Sequence, residues 1–383
     1  MSSQRPRVLF VGAFPPPGST IVGGMVTSCA ALLQSSFAAR LDLDLLDSTQ
    51  VSNPPPALFE RLLRAVRRCA RFVARFERRR PDVVLLFVAV GASIVEKGAM
   101  AWYARLRGVP AVMFPRGGSV VTEARSSAFT RTWVRAAFRG SGWIVCQSDS
   151  WREFAIALLG FPPANVAVVR NWTATSALLA LGAARTTESH TPLRLLFVGW
   201  LERDKGIGEL LEAVRQLHAD GRRFVLDVAG DGSAAEEARA TIARHGLGTL
   251  VRLRGWLDDA GLEQALRESD VLVLPSWAEG LPNAMVEAMA AGLAVVVTRV
   301  GAIPEVVSDR RSGMLVEPRD PQSLATALAA VIDDARLRSV IAGEGHRVAA
   351  REFEVEQAVD RLVALIDRAI AARGGGRLTG RVL

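Results

Sequence analysis

The chain is predicted to be an α/β protein made of two doubly wound, Rossmann-like domains. Three observations carry this. At 383 residues, with about 150 residues per domain, two or three domains are expected. Nearly the same string occurs twice, as Arg7-Val-Leu-Phe-Val-Gly12 and Arg194-Leu-Leu-Phe-Val-Gly199. Each is a short apolar run ended by glycine, the pattern of a strand covered on both faces. After each opening, strand-like runs alternate with helix-like stretches, the order that builds a parallel sheet.

Taken in order, the first half predicts strands near 7–12, 41–46, 83–88, 110–114, 143–147 and 166–169, with an arginine-rich helix over 61–80. Residues Gly182–Pro192 are polar with little apolar pattern and read as a linker. The second half predicts strands near 194–199, 224–229, 250–254, 271–275 and 294–298. Helical patterns over Ile207–Ala219, Ala234–Arg244, Leu262–Glu268 and Asn283–Ala291 lie between them. An amphipathic helix is expected near 354–371, and Arg373-Gly-Gly-Gly-Arg reads as a mobile tail. The predicted units are thus 1–187, 193–350, a helix within 351–372, and a tail at 373–383. Ligands of such sheets bind at the carboxyl ends of strands, so the site is expected in the cleft where the two domains face each other.

Half of the residues are hydrophobic and 22% are charged, which excludes wholesale disorder and a small disulfide scaffold. Cys29, Cys69 and Cys146 form no CxxC pair, and an odd count suits a reducing compartment. His190, His218, His245 and His346 match no metal-ligand spacing. No secretory signal is visible at the N-terminus, and the uncharged stretch Val83 to Val95 is too short to span a bilayer. A cytoplasmic protein is expected, with room for peripheral attachment at the inner face of a membrane. Charge is uneven: residues 1–190 hold 23 Lys+Arg against 11 Asp+Glu, and residues 191–383 hold 24 against 28. The basic half points to an anionic partner, and nucleic acid, anionic lipid and a phosphorylated substrate all fit.

A nicotinamide site fails at the first strand. Gly12 is followed by Ala-Phe-Pro-Pro-Pro-Gly rather than GxGxxG, and three prolines remove the backbone donors that a pyrophosphate needs. The helix starts later, after Gly23-Gly24. Gly24 leaves room for a phosphate or sugar to approach the backbone, or the pair is a plain helix-entry turn. The strongest pattern is in the second half. Val271-Leu-Val-Leu-Pro275-Ser is a buried strand ending at proline, followed by Trp277-Ala-Glu279-Gly-Leu-Pro-Asn-Ala-Met-Val-Glu287. Pro282 suits the start of a helix, which puts Glu279 on the loop before it and Glu287 within it. Backbone amides around Gly280, Leu281 and Asn283 would face an anion, and the two carboxylates would accept hydrogen bonds from sugar hydroxyls. The plain alternative is an exposed acidic loop with a surface glutamate.

With these residues in hand, the chain resembles the family 4 retaining glycosyltransferases of GT-B fold, formerly glycosyltransferase group 1. The resemblance covers Leu193 to about Val348 well and the first half more loosely. It implies two Rossmann-like domains, an acceptor domain followed by a nucleotide-sugar domain, with the last helix crossing back to the first. The Glu279-x7-Glu287 pair matches the family pattern, in which the first glutamate meets the donor sugar and the second the ribose. Val198-Gly199-Trp200-Leu201-Glu-Arg203-Asp-Lys205-Gly206 resembles the loop holding the donor diphosphate. Trp200 stands where the family commonly has arginine, which leaves Arg203 and Lys205 as the cations. Ala229-Gly-Asp231-Gly232 and Gly301-Ala-Ile-Pro-Glu305 match turns read as structural. Arg254-Gly255-Trp256-Leu257 resembles the segment beside the nucleobase; a core position for Trp256 is the alternative. Gly23-Gly24 matches a glycine pair near the donor phosphate. Phe114-Pro115-Arg116-Gly117-Gly118 falls where many members carry histidine. Arg116 would bind a diphosphate or an acceptor phosphate rather than act as a base, or would pair with a carboxylate.

The only D-x-D string, Asp42-Leu-Asp44, reads as a half-buried strand with its polar face in water, so no metal and no other cofactor is expected. Cations and helix amides would then stabilise the leaving nucleoside diphosphate. The family implies retention, and front-face attack is favoured because no covalent nucleophile is evident. Within 61–80, Arg61 to Arg79 fall within about a third of a helical wheel, opposite Leu62, Leu63, Val66, Cys69, Phe72, Val73 and Phe76. That stripe suits an anionic bilayer or a lipid-linked pyrophosphate, or is a solvated face of a packed helix. Nucleic acid is disfavoured because no aromatics alternate with the arginines. The function expected is metal-independent transfer of a sugar from a nucleotide-diphosphate sugar to a lipid-linked or saccharide acceptor in cell-surface polysaccharide assembly. The alternatives are a catalytically silent GT-B protein binding a nucleotide or partner, and a nucleotide-sugar epimerase.

Overall fold

The computed structural model describes residues 5–15, 23–49, 57–89, 91–116, 120, 124, 127–186 and 189–375. Gly117, Gly118 and residues 376–383 of the expected tail lie outside the described residues, whereas its first three residues, 373–375, belong to the last helix, which runs on past the expected end at 371. The chain divides into two units, Met1–Asn171 with Val355–Leu383, and Trp172–Glu354.

The first unit holds β1 (Arg7–Gly12), β2 (Asp42–Asp47), β3 (Val83–Val88), β4 (Ala111–Pro115), β5 (Gly142–Cys146) and β6 (Val166–Val168). They form one parallel sheet in the order β2-β1-β3-β4-β5-β6. Every side chain of β3 is buried, as its unbroken apolar string requires of an inner strand covered on both faces. Each such Val, Leu or Phe contributes roughly 1.5–3 kcal/mol. The helix Val355–Gly375 belongs to this unit: Glu356 accepts from Ser36 N (3.0 Å), and Asp360 pairs with Arg40 (2.5 Å). Strand β2 departs from the solvated face expected for its aspartates. Asp42 pairs with Arg7 (3.2 Å) and Arg79 (2.8 Å), and Asp44 with Arg75 (2.5 Å).

The second unit holds β7 (Leu193–Val198), β8 (Phe224–Ala229), β9 (Val251–Gly255), β10 (Val271–Leu274), β11 (Ala294–Thr298) and β12 (Met314–Val316). Its parallel order is β12-β11-β10-β7-β8-β9, so the winding direction reverses between β7 and β10. Strand β12 was not among the strands expected from the sequence. The helix Asp259–Glu268 starts three residues early because Asp258 caps it, its Oδ1 accepting from Gly261 N at 2.8 Å. The start of the linker also departs from a unit ending at 187. Arg185 donates to Leu266 O (2.7 Å), Ser269 O (2.7 Å) and Ala291 O (3.0 Å), satisfying carbonyls at the ends of two helices of the second unit. The helix before it, Ser176–Ala183, is packed there as well, since a Cβ on Gly182 would lie 2.2 Å from Ala290 O.

Candidate functional site

Where a doubly wound sheet reverses direction, the loops leaving the two adjacent strands separate and leave a crevice. In the second unit those loops follow β7 and β10, and the sequence-predicted Lys205 and Glu279 sit one on each. Lys205 Nζ donates to Glu279 Oε1 at 2.7 Å, with the side chains 24% and 15% exposed. Two tight backbone approaches hold them there. Gly206, at φ 72°, packs so closely that a Cβ would stand 2.1 Å from Pro275 O. Gly301, at φ 56°, leaves no room for a Cβ against Glu279 O, also 2.1 Å away. Trp277 N donates to Asp204 O (2.7 Å), Ala302 N to Gly280 O (2.8 Å), and Thr298 Oγ1 to Ser276 O (2.6 Å). The glutamate loop is thus fastened from β7 on one side and from β11 on the other.

Trp277 gives this loop a charged aromatic floor. Its indole Nε1 donates to Glu209 Oε1 (2.9 Å), and the guanidinium groups of Arg203 and Arg319 stand 5.6 and 4.4 Å from its ring. Arg203 was expected among the cations; Arg319 and the role of Trp277 were not, because nothing local in the sequence joins residues so far apart. Gly199 directly follows β7, its N–H bonded to Ala229 O (3.0 Å). The tryptophan after it, which departs from the family arginine, pairs with Trp256 at a ring distance of 4.9 Å. Trp256 is 39% exposed, which excludes a core position; Leu257 packs against the core instead.

The helix Asn283–Ala290 begins directly after Pro282, so the Gly280–Asn283 turn meets its positive end. Leu281 is buried in the core of the unit. Glu287 is also buried, at 6% exposure. Burial pushes its carboxyl up to about 7; the Asp259 charge adds to this and a hydrogen bond from Thr173 opposes it. An acid whose folded value is raised stabilises the fold below its unfolded value, about 4.3, and loses that contribution as pH rises through about 7. At about 1.4 kcal/mol per pH unit, the loss is on the order of 3 kcal/mol. Glu287→Gln is therefore expected to be more stable than the parent at pH 8, with the gap closing toward pH 5. Urea midpoints at the two pH values read this, and parallel pH curves for the two proteins would refute it.

The other predicted residues lie in the first unit. Gly23, at φ 145°, precedes the helix Gly24–Gln34, whose first residue is Gly24. Arg116 follows β4; it donates to Ser28 Oγ on that helix (2.6 Å), and its guanidinium lies 5.0 Å from the Phe114 ring. Burial lowers its pKa to about 10, so it stays charged at neutral pH.

Comparison with known proteins gives a consistent picture. The family model described as glycosyl transferases group 1 matches residues 192–334, and one described as a glycosyl transferase 4-like domain matches residues 31–172. A putative colanic acid biosynthesis glycosyltransferase of Salmonella typhimurium is 31% identical over 300 residues, 74% of this chain and 70% of the relative. A D-inositol 3-phosphate glycosyltransferase of Catenulispora acidiphila is 32% identical over 299 residues, 72% and 70% of the two chains. Among solved structures, sucrose-phosphate synthase from Thermosynechococcus elongatus has a TM-score of 0.76 at 18% identity, covering 96% of this chain and all of that one. Anabaena HepE in complex with UDP-glucose has a TM-score of 0.68 at 17% identity, covering 95% of this chain and 100% of that one.

Proposed function

From the premise that this chain belongs to the group 1 glycosyltransferases of GT-B fold, we propose that it moves a sugar from a nucleotide-diphosphate donor to a lipid-linked or saccharide acceptor in cell-surface polysaccharide assembly. The observation that carries this reading is the Lys205–Glu279 pair at the switch between β7 and β10. A bound diphosphate would share the Lys205 ammonium, with Arg203 and the Asn283 helix adding positive potential. Glu279 would then accept hydrogen bonds from the donor sugar, Glu287 from the ribose, and the exposed Trp256 would lie by the base. Gly23, Gly24 and Arg116 are assigned to phosphate groups on the side of the first unit. Relatives named for colanic acid, amylovoran and lipopolysaccharide core biosynthesis, and a structural neighbour holding UDP-glucose, support both the donor and the setting.

The transfer is proposed to be retaining and metal-independent, with the acceptor hydroxyl attacking the face that the diphosphate leaves. The acceptor's proton passes to the departing phosphate oxygen as the new glycosidic bond forms. A glycosyl adduct trapped on Glu279 would overturn that step. Thermal shift and hydrolysis with a panel of nucleotide sugars test the whole reading: one donor is expected to raise the melting temperature and to be turned over, and silence across the panel would leave the silent-relative alternative.

An anionic membrane surface is the proposed setting. No helix among the described residues is long and apolar enough to cross a membrane. The helix Leu58–Arg78 nevertheless leaves Phe59 (78%), Leu62 (62%) and Val66 (58%) exposed, while Phe72 and Phe76 are buried. Arg61, Arg67, Arg71 and Arg78 are exposed and have no carboxylate partner among the described residues. Each arginine near an anionic surface contributes about 1 kcal/mol, so changing these four to glutamine is expected to cut partition into phosphatidylglycerol vesicles at least 100-fold. Equal sedimentation with the vesicles would refute it.

A further inference from the structure

We propose that the first unit contains an anion pocket for a pyrophosphate or paired phosphate group on the acceptor, an inference that rests on the transferase reading above. A cavity of about 320 Å³ opens where β2 ends, bounded by Asp47 and Thr49 on the strand side and by Arg64, Arg67, Arg68 and Arg71 on the helix Leu58–Arg78. These arginines sit at i, i+3, i+4 and i+7, one face of one helix, where like charges repel.

Only part of that repulsion is offset. Arg64 pairs with Glu60 (2.5 Å), and Arg68 is held by both oxygens of the buried Glu96 (2.7 and 2.8 Å). Arg67 and Arg71 line the same cavity with no carboxylate partner among the described residues. Asp47, whose Oδ1 accepts from Phe14 N and Thr49 N at 2.9 Å each, and Glu60 also line the cavity, and their two negative charges are set against four guanidinium groups. The pocket therefore holds a surplus of guanidinium forks, the geometry that binds phosphate oxygens two at a time. Its place at the carboxyl end of a parallel strand is where such sheets take ligands. Leu63 also lines the cavity, and the exposed Phe59, Leu62 and Val66 lie on the neighbouring face of the helix. An apolar chain attached to the phosphate would have a surface to follow.

The test is calorimetric titration of the full chain with inorganic pyrophosphate. Lys205 offers a second diphosphate site, so the location is decided by which substitution weakens binding. We expect the R67A/R71A protein to lose at least tenfold in affinity for a site that K205A retains. Unchanged affinity in R67A/R71A, or loss in K205A alone, overturns the proposal. Both arginines are exposed; should R67A/R71A melt early, R67K/R71K keeps the charge, removes the fork and is expected to lose affinity too, with parental affinity in that variant counting against the pocket. Farnesyl pyrophosphate in neutral phosphatidylcholine vesicles separates the sources. Tenfold stronger competition than inorganic pyrophosphate assigns a lipid-linked acceptor, and equal competition a soluble phosphorylated saccharide. Pyrophosphate binding at Arg67 and Arg71 in a protein that binds no nucleotide sugar would sink the transferase reading and leave the pocket standing.

Discussion

Lys205→Ala is expected to lower sugar transfer roughly 10²–10³-fold, the usual cost of removing one group aimed at charge that develops in the transition state. The departing nucleoside diphosphate gains negative charge as the glycosidic bond breaks, and in the proposed site Lys205 is the cation placed against it. The ion pair with Glu279 at 2.7 Å is partly exposed, so by itself it contributes only about 1 kcal/mol or less to folding. Activity and stability should therefore separate: the melting temperature moves by a few degrees while turnover nearly vanishes. Losing the ammonium also leaves Glu279 without its partner, which complicates a single variant. Lys205→Arg and the pair Lys205→Ala with Glu279→Gln resolve this. If Lys205 serves only to neutralise Glu279, the double variant recovers much of the loss. If it meets the diphosphate, the double variant stays as slow as the worse single one. Single-turnover rates within threefold of the parent for Lys205→Ala would remove Lys205 from the mechanism.

What could be read in the sequence follows from which interactions are local. Strands β3, β10 and β11 are buried on both faces, and their continuous apolar runs mark them at once. Glu279 and Lys205 were legible as residue types in a pattern, but their contact was not, since it depends on which strands become neighbours. The backbone approaches at Gly206 and Gly301 were hidden for a related reason: one glycine looks like another until its φ and its neighbour are known. The arginine-rich helix shows the limit of periodicity. Its two faces were clear, but not which one the protein would use. Arg68, Arg75 and Arg79 turn toward Glu96, Asp44 and Asp42, and it is the apolar side of the first turns that stays uncovered.

Gly206→Ala should damage the protein through geometry alone. The residue sits at φ 72°, where a side chain costs about 1–2 kcal/mol. Its new Cβ would stand 2.1 Å from Pro275 O, a backbone atom that cannot swing aside like a flexible side chain. Forcing such a contact apart typically costs a further 1–3 kcal/mol. The sum of roughly 2–5 kcal/mol corresponds to a fall of about 5–15 °C in the melting of a unit this size. The displacement also acts on the site, because Lys205 is the preceding residue and Pro275 opens the loop that carries Glu279. Donor binding should therefore weaken even at temperatures where the protein is folded. Gly208 supplies the control two residues on. It lies inside the helix Ile207–Ala219, and a Cβ there meets nothing within 4 Å. Gly208→Ala should then stabilise by about 0.5–1 kcal/mol, because alanine has the higher helix propensity and the unfolded chain loses freedom. Opposite signs for two Gly→Ala changes in one loop–helix junction would tie the effect to the left-handed backbone of Gly206 and its contact with Pro275. A Gly206→Ala protein that melts and binds donor like its parent would mean the β7 and β10 loops are not locked together, and the proposed placement of Lys205 against Glu279 would lose its support.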